Sequence, residues 1–374
     1  MVPETVDGAT TGRAKREVLY MRSGKWFAVV LAAALLASAC GGGSPGESPG
    51  GGGGGGDAGI RVGLAFDVGG LGDKSFNDAA NRGLQQAIDE GILAEEDTEF
   101  IEANATGSDR DDNVIALADE GFELIVAVGF AFSEGINEIA SDYPDVNFAV
   151  VDGFAEEAPN VSNLVFKEEE GSFLVGAAAA MKSEAGTIGF LGGQQGTGLI
   201  EKFEAGYTAG AKEIEPDIEV LVEYIGDSTA AFVDPTKGEA LSSKMYDGGA
   251  DVIYHAAGGS GAGLFKAAVE KDGLAIGVDS DQSLTASPEQ RKLILTSMLK
   301  RVDTAVYEAI QQVADDDFQK GYQTFGLAED GVGYAVNQYN DNPQLLNQEI
   351  QDELDKLKQE IIDGQIKVPT EPAA

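Results

Sequence analysis

The order of short apolar runs and helix-like stretches is the feature that most limits what this chain can fold into. Arg61–Phe66, Leu124–Val128 and Asn147–Val151 are apolar runs of strand length, and the segments between them carry apolar residues at helical spacing. Strands that alternate with helices predict a parallel, doubly wound sheet, because each parallel connection needs a crossover segment. The folded part is therefore predicted to begin with an α/β lobe.

The same order begins again in the second half of the chain. Gly186–Leu191, Asp251–His255 and Ala275–Val278 are predicted strands, and helix-like stretches separate them. The segment NFAVVDG, which ends at Gly153, is similar to LAIGVDS, which ends at Ser280. The sequence thus predicts a second α/β lobe that resembles the first.

The two lobes are expected to exchange segments of chain. The strand predicted at 292–299 and the helix after it should cross back to the first lobe, and the tail should pack on the second. Lobe one would then contain residues 58–166 and 284–318, and lobe two residues 167–283 and 319–374. Such crossings form a hinge, and the carboxyl ends of the two sheets would enclose a cleft that can hold a ligand.

A basic segment and a short apolar run precede the folded part. The run Trp26–Ala39 has 14 residues, too few for a helix that spans a bilayer. A basic start, an apolar run and small residues at its end are typical of a signal peptide, and the sequence LASAC, which ends at Cys40, resembles a lipobox, in which the thiol is lipidated. Residues 1–40 are therefore predicted to be a lipoprotein signal peptide, with an ordinary signal peptide as the alternative. The Gly-rich residues 41–57 are predicted to be a flexible tether.

Charge and the scarcity of reactive residues exclude several classes of protein. The net charge of −39 argues against a nucleic-acid partner, which would need a basic surface. Solubility and adaptation to salt are both explanations of the acidity. His255 is the only histidine and Cys40 the only cysteine, so no nucleophile–base pair or metal cluster is evident. The glycine-rich segment Gly259–Gly263 lacks the spacing of a dinucleotide site, and no Walker motif is present.

The loop after the first predicted strand carries residues that are typical of a ligand site. Asp67 stands at the carboxyl end of the strand, and the glycines that follow it allow the backbone to approach a ligand closely. Phe76 stands at the start of a predicted helix, where an aromatic side chain has little reason to be buried. Ser75 or Asn77 could cap that helix.

The pattern D-x-G-G-x-x-D-x-S-F-N of this loop resembles the basic membrane protein family. These surface lipoproteins include purine nucleoside receptors and serve as substrate-binding proteins of nucleoside ABC transporters. The similarity covers about residues 60–340. Further segments that resemble the family are Gly129–Phe132, Glu201–Tyr207, His255–Gly261, Gly277–Gln282 and Thr296–Lys300.

The resemblance implies a type I periplasmic-binding-protein fold, and a protein that is not an enzyme and has no cofactor. It implies a monomer that is anchored by a lipid on the extracytoplasmic face of the cell membrane. The protein would bind a nucleoside, with purine nucleosides expected, and dock on ABC permease subunits that are powered by a separate ATPase. A sugar or autoinducer-type receptor of the same fold is the alternative function.

The resemblance also implies which residues contact the ligand. These are Asp67, Phe76, Asn77, Glu134, Phe203, Gly258, Asp279 and Lys300. Phe76 and Phe203 would stack on opposite faces of the base, although Phe203 could instead belong to a helix core. Asp67 and Asn77 would form hydrogen bonds with the base, and a turn cap is the alternative role of Asp67.

The remaining implied contacts concern the sugar. Asp279 and Lys300 would bind the ribose hydroxyls, and Gly258 would offer backbone groups. Lys300 could instead pair with Asp279 or Glu308 on the surface. Glu134 stands where the family commonly has Asp, so its longer side chain would alter that contact.

Overall fold

The computed structural model describes residues 59–373, which belong to one compact unit of the chain. The predicted signal peptide, Cys40 and the predicted tether lie outside the described residues. The strands of the described part are β1 (Val62–Phe66), β2 (Thr98–Glu102), β3 (Leu124–Val128), β4 (Asn147–Val151), β5 (Val161–Phe166), β6 (Thr187–Gln194), β7 (Glu219–Gly226), β8 (Val252–Ala256), β9 (Leu274–Asp279), β10 (Ile294–Lys300), β11 (Gly321–Phe325) and β12 (Val332–Tyr334). Its α-helices are α1 (Phe76–Asp89), α2 (Arg110–Asp119), α3 (Ser133–Asp142), α4 (Glu168–Lys182), α5 (Ile200–Ile214), α6 (Pro235–Asp247), α7 (Ala262–Lys271), α8 (Val302–Ala314) and α9 (Gln348–Ile362). None of these helices is both long and apolar enough to cross a membrane.

Two six-stranded sheets form the centres of two lobes. The strand order is β2-β1-β3-β4-β5-β11 in the first sheet and β7-β6-β8-β9-β10-β12 in the second. All neighbours are parallel except β10 and β12. Strands such as β1 and β3 are buried along their whole length, because helices cover both faces of the sheet. The predicted α/β class with two doubly wound parallel sheets is confirmed, and the two sheets share one strand order.

The exchange of segments between the lobes differs from the prediction. The prediction assigns 284–318 to lobe one, but β10 pairs with β9 and β12 in the second sheet. It assigns 319–374 to lobe two, but β11 pairs with β5 in the first sheet. The physical reason is that β10 is a mostly buried apolar strand that extends the second sheet at the free edge of β9. The chain therefore crosses after β10 rather than before it, and α8 then packs against α1 in lobe one.

Three chain crossings join the lobes and lie beside one another. They connect β5 to α4, β10 to α8 and β11 to β12. The backbone N–H of Lys167 donates to the carbonyl oxygen of Phe325 at 3.1 Å, which links the first crossing to the third. The N–H of Arg301 donates to the oxygen of Gly331 at 2.8 Å, which links the second crossing to the third. These bonds make the three segments one hinge.

Helices α4 and α5 approach so closely that glycine is required between them. A Cβ atom on Gly176 would lie 2.0 Å from the carbonyl oxygen of Tyr207, and one on Gly210 would lie 1.9 Å from that of Phe173. The glycines therefore set the distance between the helices. Because α4 follows the first hinge crossing, this packing fixes the first turn of α5, which carries Phe203, relative to the hinge.

Candidate ligand site between the two lobes

A cavity lies where the carboxyl ends of the two sheets face one another. It contains about 700 Å³ of space that no atom occupies, part of which is open to solvent. The loops after β1, β3 and β4 line it from lobe one, and the loops after β6, β7 and β8 line it from lobe two together with the last residues of β9 and β10. Of the predicted contact residues, those that line the cavity are Asp67, Phe76, Asn77, Phe203, Gly258, Asp279 and Lys300.

Glu134 is the predicted contact that the structure does not bring to this cavity. It lies in the first turn of α3 and its side chain is exposed. Gly129 and Phe130, which directly follow β3, line the cavity instead. The structure therefore gives no support for Glu134 as a contact, because its position in the first turn of α3 exposes its side chain to solvent.

Two phenylalanine side chains from opposite lobes line the cavity. Phe76 is the first residue of α1, and Phe203 lies in the first turn of α5. The Nζ atom of Lys300 lies 5.2 Å from the centroid of the Phe76 ring and 5.5 Å from that of Phe203. Both rings therefore border the same small region, in which a flat group can contact one or both of them.

Lys300 is buried, with 2% of its side chain exposed, and its partners differ from those predicted. Its ammonium group lies 2.7 Å from the Asp152 carboxylate and 3.2 Å from Glu168, so it does not pair with Asp279 or Glu308. Burial lowers the pKa of Lys300, but the attraction of these carboxylates outweighs burial and raises it. Lys300 is thus a permanently charged group at one end of the cavity.

Asp152 was not among the predicted contacts, although the internal repeat could have indicated it. In the similar segments NFAVVDG and LAIGVDS, Asp152 occupies the position of Asp279. Both residues line the cavity, and both have left-handed backbone conformations, with φ of +59° and +62°. Such conformations are uncommon for residues other than glycine and often occur at functional sites. The two lobes therefore contribute equivalent carboxylates to the same end of the cavity.

Asp279 also takes part in a contact between the lobes. Its carboxylate accepts a hydrogen bond from the hydroxyl of Ser75 in lobe one. Burial raises the pKa of Asp279 to about 6, while Lys300 and the Ser75 hydroxyl act in the opposite direction. Ser75 therefore closes the cleft and does not cap α1.

The other end of the cavity contains Asp67 and Asn77. The Oδ1 atom of Asp67 accepts hydrogen bonds from the backbone of Val68 and from Nε of Arg110, both at 2.6 Å. The Oδ1 atom of Asn77 is buried and has no hydrogen-bond partner within residues 59–373. Because a buried acceptor without a partner costs stability, this atom is a candidate for contact with a donor on a ligand.

The cap of α1 comes from Asp73 rather than from Ser75 or Asn77. The Asp73 carboxylate accepts hydrogen bonds from the backbone N–H groups of Ser75 at 2.9 Å, Asn77 at 2.8 Å and Asp78 at 3.1 Å. These bonds satisfy the free N–H groups at the start of the helix. They leave the Asn77 side chain available to the cavity.

His255 does not line the cavity but supports it from behind. It is fully buried, and its Nε2 atom lies 2.9 Å from Oε1 of Gln282. Burial lowers the pKa of His255 to about 4, so the ring is neutral at pH 7. The Nε2 atom of Gln282 donates to the carbonyl oxygen of Lys74 in lobe one at 3.2 Å. His255 therefore holds a side chain that joins the lobes.

Comparison with known proteins agrees with this arrangement. The family model described as ABC transporter substrate-binding protein, PnrA-like, matches residues 60–371. A CD4+ T-cell-stimulating antigen of Listeria monocytogenes is 35% identical over 326 residues, which cover 83% of this chain and 88% of the relative. The ABC transporter nucleoside-binding protein BmpA of Lactococcus lactis is 33% identical over 325 residues, which cover 83% and 89%.

A solved structure supports the same conclusion about the fold. An ABC transporter solute-binding protein from Aeropyrum pernix K1 has 28% sequence identity and a TM-score of 0.70, and the match covers 83% of this chain and 93% of that one. The predicted type I periplasmic-binding-protein fold is confirmed by this likeness. Members of the matched family bind a substrate for a transporter and are not enzymes. The chain belongs to the family of PnrA-like substrate-binding proteins of ABC transporters.

Proposed function

We propose that this substrate-binding protein captures a nucleoside, with purine nucleosides as the expected class, in the cavity between its lobes. The observation that carries the proposal is the pair Phe76 and Phe203, which come from opposite lobes and border the same region. A base has two flat faces that stack on aromatic rings whatever its polar edge. The Lactococcus lactis relative is named a nucleoside-binding protein, which supports the same ligand class.

The two ends of the cavity offer different chemistry for the two halves of a nucleoside. Asp67 and Asn77 place acceptors beside the position proposed for the base. Asp279, Asp152 and the ammonium group of Lys300 lie at the other end. Carboxylates accept hydrogen bonds from hydroxyl groups and an ammonium group donates them, so this end suits the ribose.

Binding is expected to close the lobes on the ligand. Ser75 donates to Asp279, and a side-chain nitrogen of Arg82 lies 2.7 Å from the hydroxyl of Ser280. Both bonds join lobe one to lobe two, so they can form only when the cleft is closed. The closed form would then dock on ABC permease subunits that are powered by a separate ATPase.

We also propose that the protein acts as a monomer on the extracytoplasmic face of the cell membrane, where a lipid on Cys40 anchors it. The support is the signal-peptide pattern before Cys40 and the Gly-rich segment after it. Radiolabelled palmitate should enter the wild type in cells but not Cys40→Ala. A wild-type product that is released without label would contradict the anchor and leave the binding proposal intact.

Calorimetric titration tests the binding proposal directly. The full chain in detergent should bind guanosine or adenosine, and should bind cytidine, ribose and galactose more weakly. The pyrimidine ring of cytidine offers less area for stacking, and the free sugars offer no base. Binding of a sugar without binding of any nucleoside would replace the proposal by the sugar-receptor alternative.

A further inference from the structure

Arg110, at the start of α2, forms contacts through all three nitrogen atoms of its guanidinium group. Its Nε atom donates to Oδ1 of Asp67 at 2.6 Å, and Nη2 contacts the same oxygen. Its Nη1 atom donates to the carbonyl oxygen of Gly107 at 3.0 Å, and Nη2 lies 3.3 Å from the hydroxyl of Thr229 in lobe two. Only 14% of the side chain is exposed, and Arg110 is not among the residues that line the cavity.

The loop before α2 is shaped around this guanidinium group. Gly107 has a φ of +66°, and a Cβ atom there would lie 2.2 Å from Cζ of Arg110. The guanidinium also lies 6.0 Å from the centroid of the Phe132 ring. The position of the arginine is therefore fixed by backbone and aromatic neighbours as well as by its ion pair.

These contacts determine what Asp67 can offer to a ligand. Its Oδ1 atom is used by Arg110 and by the N–H of Val68. The second oxygen, Oδ2, has no hydrogen-bond partner among residues 59–373, and Asp67 lines the cavity, so Oδ2 is available to a ligand. The guanidinium group favours the ionised form of the carboxylate, and this form only accepts hydrogen bonds. With Oδ1 of Asn77, this end of the cavity presents two acceptors.

We propose that Arg110 is a positioning residue that sets base selectivity, because it fixes Asp67 as an acceptor and thereby favours 6-oxopurine nucleosides over adenosine. The inference rests on the proposed nucleoside function. The ring nitrogen N1 of a 6-oxopurine carries a hydrogen and can donate to a carboxylate. At the same position adenine has a bare acceptor, N1, which an ionised carboxylate repels, so adenosine can use only its 6-amino group as a donor at this edge.

The protonation of Asp67 gives this inference a specific consequence. Burial raises the pKa of Asp67, while the charge and hydrogen bonds of Arg110 and the N–H of Val68 lower it. Without Arg110 the pKa of the buried carboxyl rises further. A protonated Asp67 can donate to N1 of adenine, so the selectivity should relax and should begin to depend on pH.

The experiment compares the dissociation constants of inosine and adenosine for the full chain by calorimetry between pH 6 and pH 8. Asp152 and Asp279 act on the ribose of both nucleosides, so their titration cancels in the ratio of the two constants. The wild type should favour inosine about tenfold or more at pH 8, with a weaker dependence on pH than the variant that lacks Arg110. In Arg110→Met the ratio should fall towards one, and should fall further as the pH decreases.

Three further variants separate selectivity from structural support. Arg110→Lys keeps the charge but not the forked geometry, so it should bind both ligands more weakly and keep a ratio that depends on pH as in the wild type. Thr229→Val removes only the contact with lobe two, so it should weaken both ligands equally. Asp67→Asn offers an amide donor at every pH and should shift the ratio towards adenosine without dependence on pH, which keeps the test valid if Arg110→Met does not fold.

The outcomes distinguish this inference from the proposed function. A wild type that binds neither nucleoside contradicts both. A wild type that binds nucleosides, while Arg110→Met loses inosine and adenosine affinity equally at every pH, overturns only the inference and leaves Arg110 with a structural role. An unchanged ratio in Asp67→Asn overturns it as well.

Discussion

The ammonium group of Lys300 lies 2.7 Å from the carboxylate of Asp152, although the two residues belong to different lobes. Lys300 is the last residue of β10 in the second sheet, and Asp152 directly follows β4 in the first. Glu168, at the start of α4, adds a second carboxylate at 3.2 Å from the same nitrogen. All three side chains are almost fully buried. The contact between the lobes at the hinge side of the cavity is therefore a buried charge cluster, in which the ammonium group of Lys300 faces two carboxylates.

Removal of the Lys300 charge should destabilise the protein strongly. Lys300→Met leaves Asp152 buried without its cation and leaves Glu168 with only the partly exposed Lys202, and breaking a buried pair in this way costs about 3–5 kcal/mol. Burial already raises the pKa of Asp152 to about 6 against the opposing effect of Lys300. In the variant this pKa rises further, so the loss in the free energy of unfolding should be smaller at pH 5 than at pH 8.

Urea unfolding at the two pH values measures this difference. Lys202→Met is the matched control, because Lys202 also lies 3.2 Å from Glu168 but 30% of its side chain is exposed. It should lose much less stability, with little dependence on pH. Equal losses in both variants at both pH values would show that the buried cluster has no special role.

The two cavity phenylalanines should each contribute strongly to nucleoside affinity. Phe76→Leu and Phe203→Leu keep an apolar side chain but remove the flat ring, and base–aromatic stacking is worth about 1–3 kcal/mol. We therefore expect each variant to weaken guanosine binding by roughly 5- to 150-fold in calorimetry. Phe100→Leu, on β2 and 47% exposed, is the control and should bind like the wild type. Unchanged affinity in both cavity variants would exclude stacking between the rings.

Local patterns predict much of the architecture, because a short apolar run between polar turns indicates a strand wherever it occurs. Neither β5 nor α4 is among the predicted elements. The buried residues of α4 extend from Glu168 to Ala179 on almost every face of the helix, so no polar stripe marks it as helical. Which sheet β10 and β11 join depends on which sheet edge is free. A local sequence pattern does not contain that information.

For the candidate site, too, sequence patterns predict residues that are close in sequence but not contacts between distant segments. The motif of the first loop places Asp67, Phe76 and Asn77 at the cavity, since motif residues close in sequence keep their geometry. The partner of Lys300 is 148 residues away in sequence, and only the closed arrangement of the lobes brings them together. Glu134 illustrates the opposite case, in which a residue next to the cleft turns to solvent because of its position on a helix.

Ser75 should affect ligand affinity through closure of the lobes. Ser75→Ala leaves the buried carboxylate of Asp279 without its donor from lobe one, and hydrogen bonds to charged groups contribute about 1.5–3 kcal/mol. Guanosine affinity should fall by about tenfold or more, and small-angle scattering should show a less compact ligand-bound form. Ser280→Ala is the control, because its partner Arg82 is 46% exposed at the rim and should matter less. Equal affinities of wild type and Ser75→Ala would mean that this bond does not contribute to the closed state.

Glu169, in the first turn of α4, should make the free energy of unfolding depend on pH. Its Oε2 atom is buried and has no hydrogen-bond partner in the described part of the chain. Burial, together with the nearby Glu168 and Glu170, raises its pKa from 4.5 to about 7. Between these values the folded protein binds a proton that the unfolded chain releases, so the free energy of unfolding should fall as the pH rises from about 5 to 8.

Glu169→Gln tests this directly, because the amide keeps the shape of the protonated carboxyl and cannot ionise. The variant should be about 2 kcal/mol more stable than the wild type at pH 8 and close to it at pH 5. Asp152 and Asp279, whose pKa values are about 6, act in the same direction in both proteins, so the difference between the two urea titrations isolates Glu169. Glu138→Gln, at an exposed position on α3, should leave the stability unchanged at both pH values. A constant difference between Glu169→Gln and the wild type from pH 5 to pH 8 would show that Glu169 does not titrate in this range, and that its buried oxygen is stabilised by a contact other than a proton.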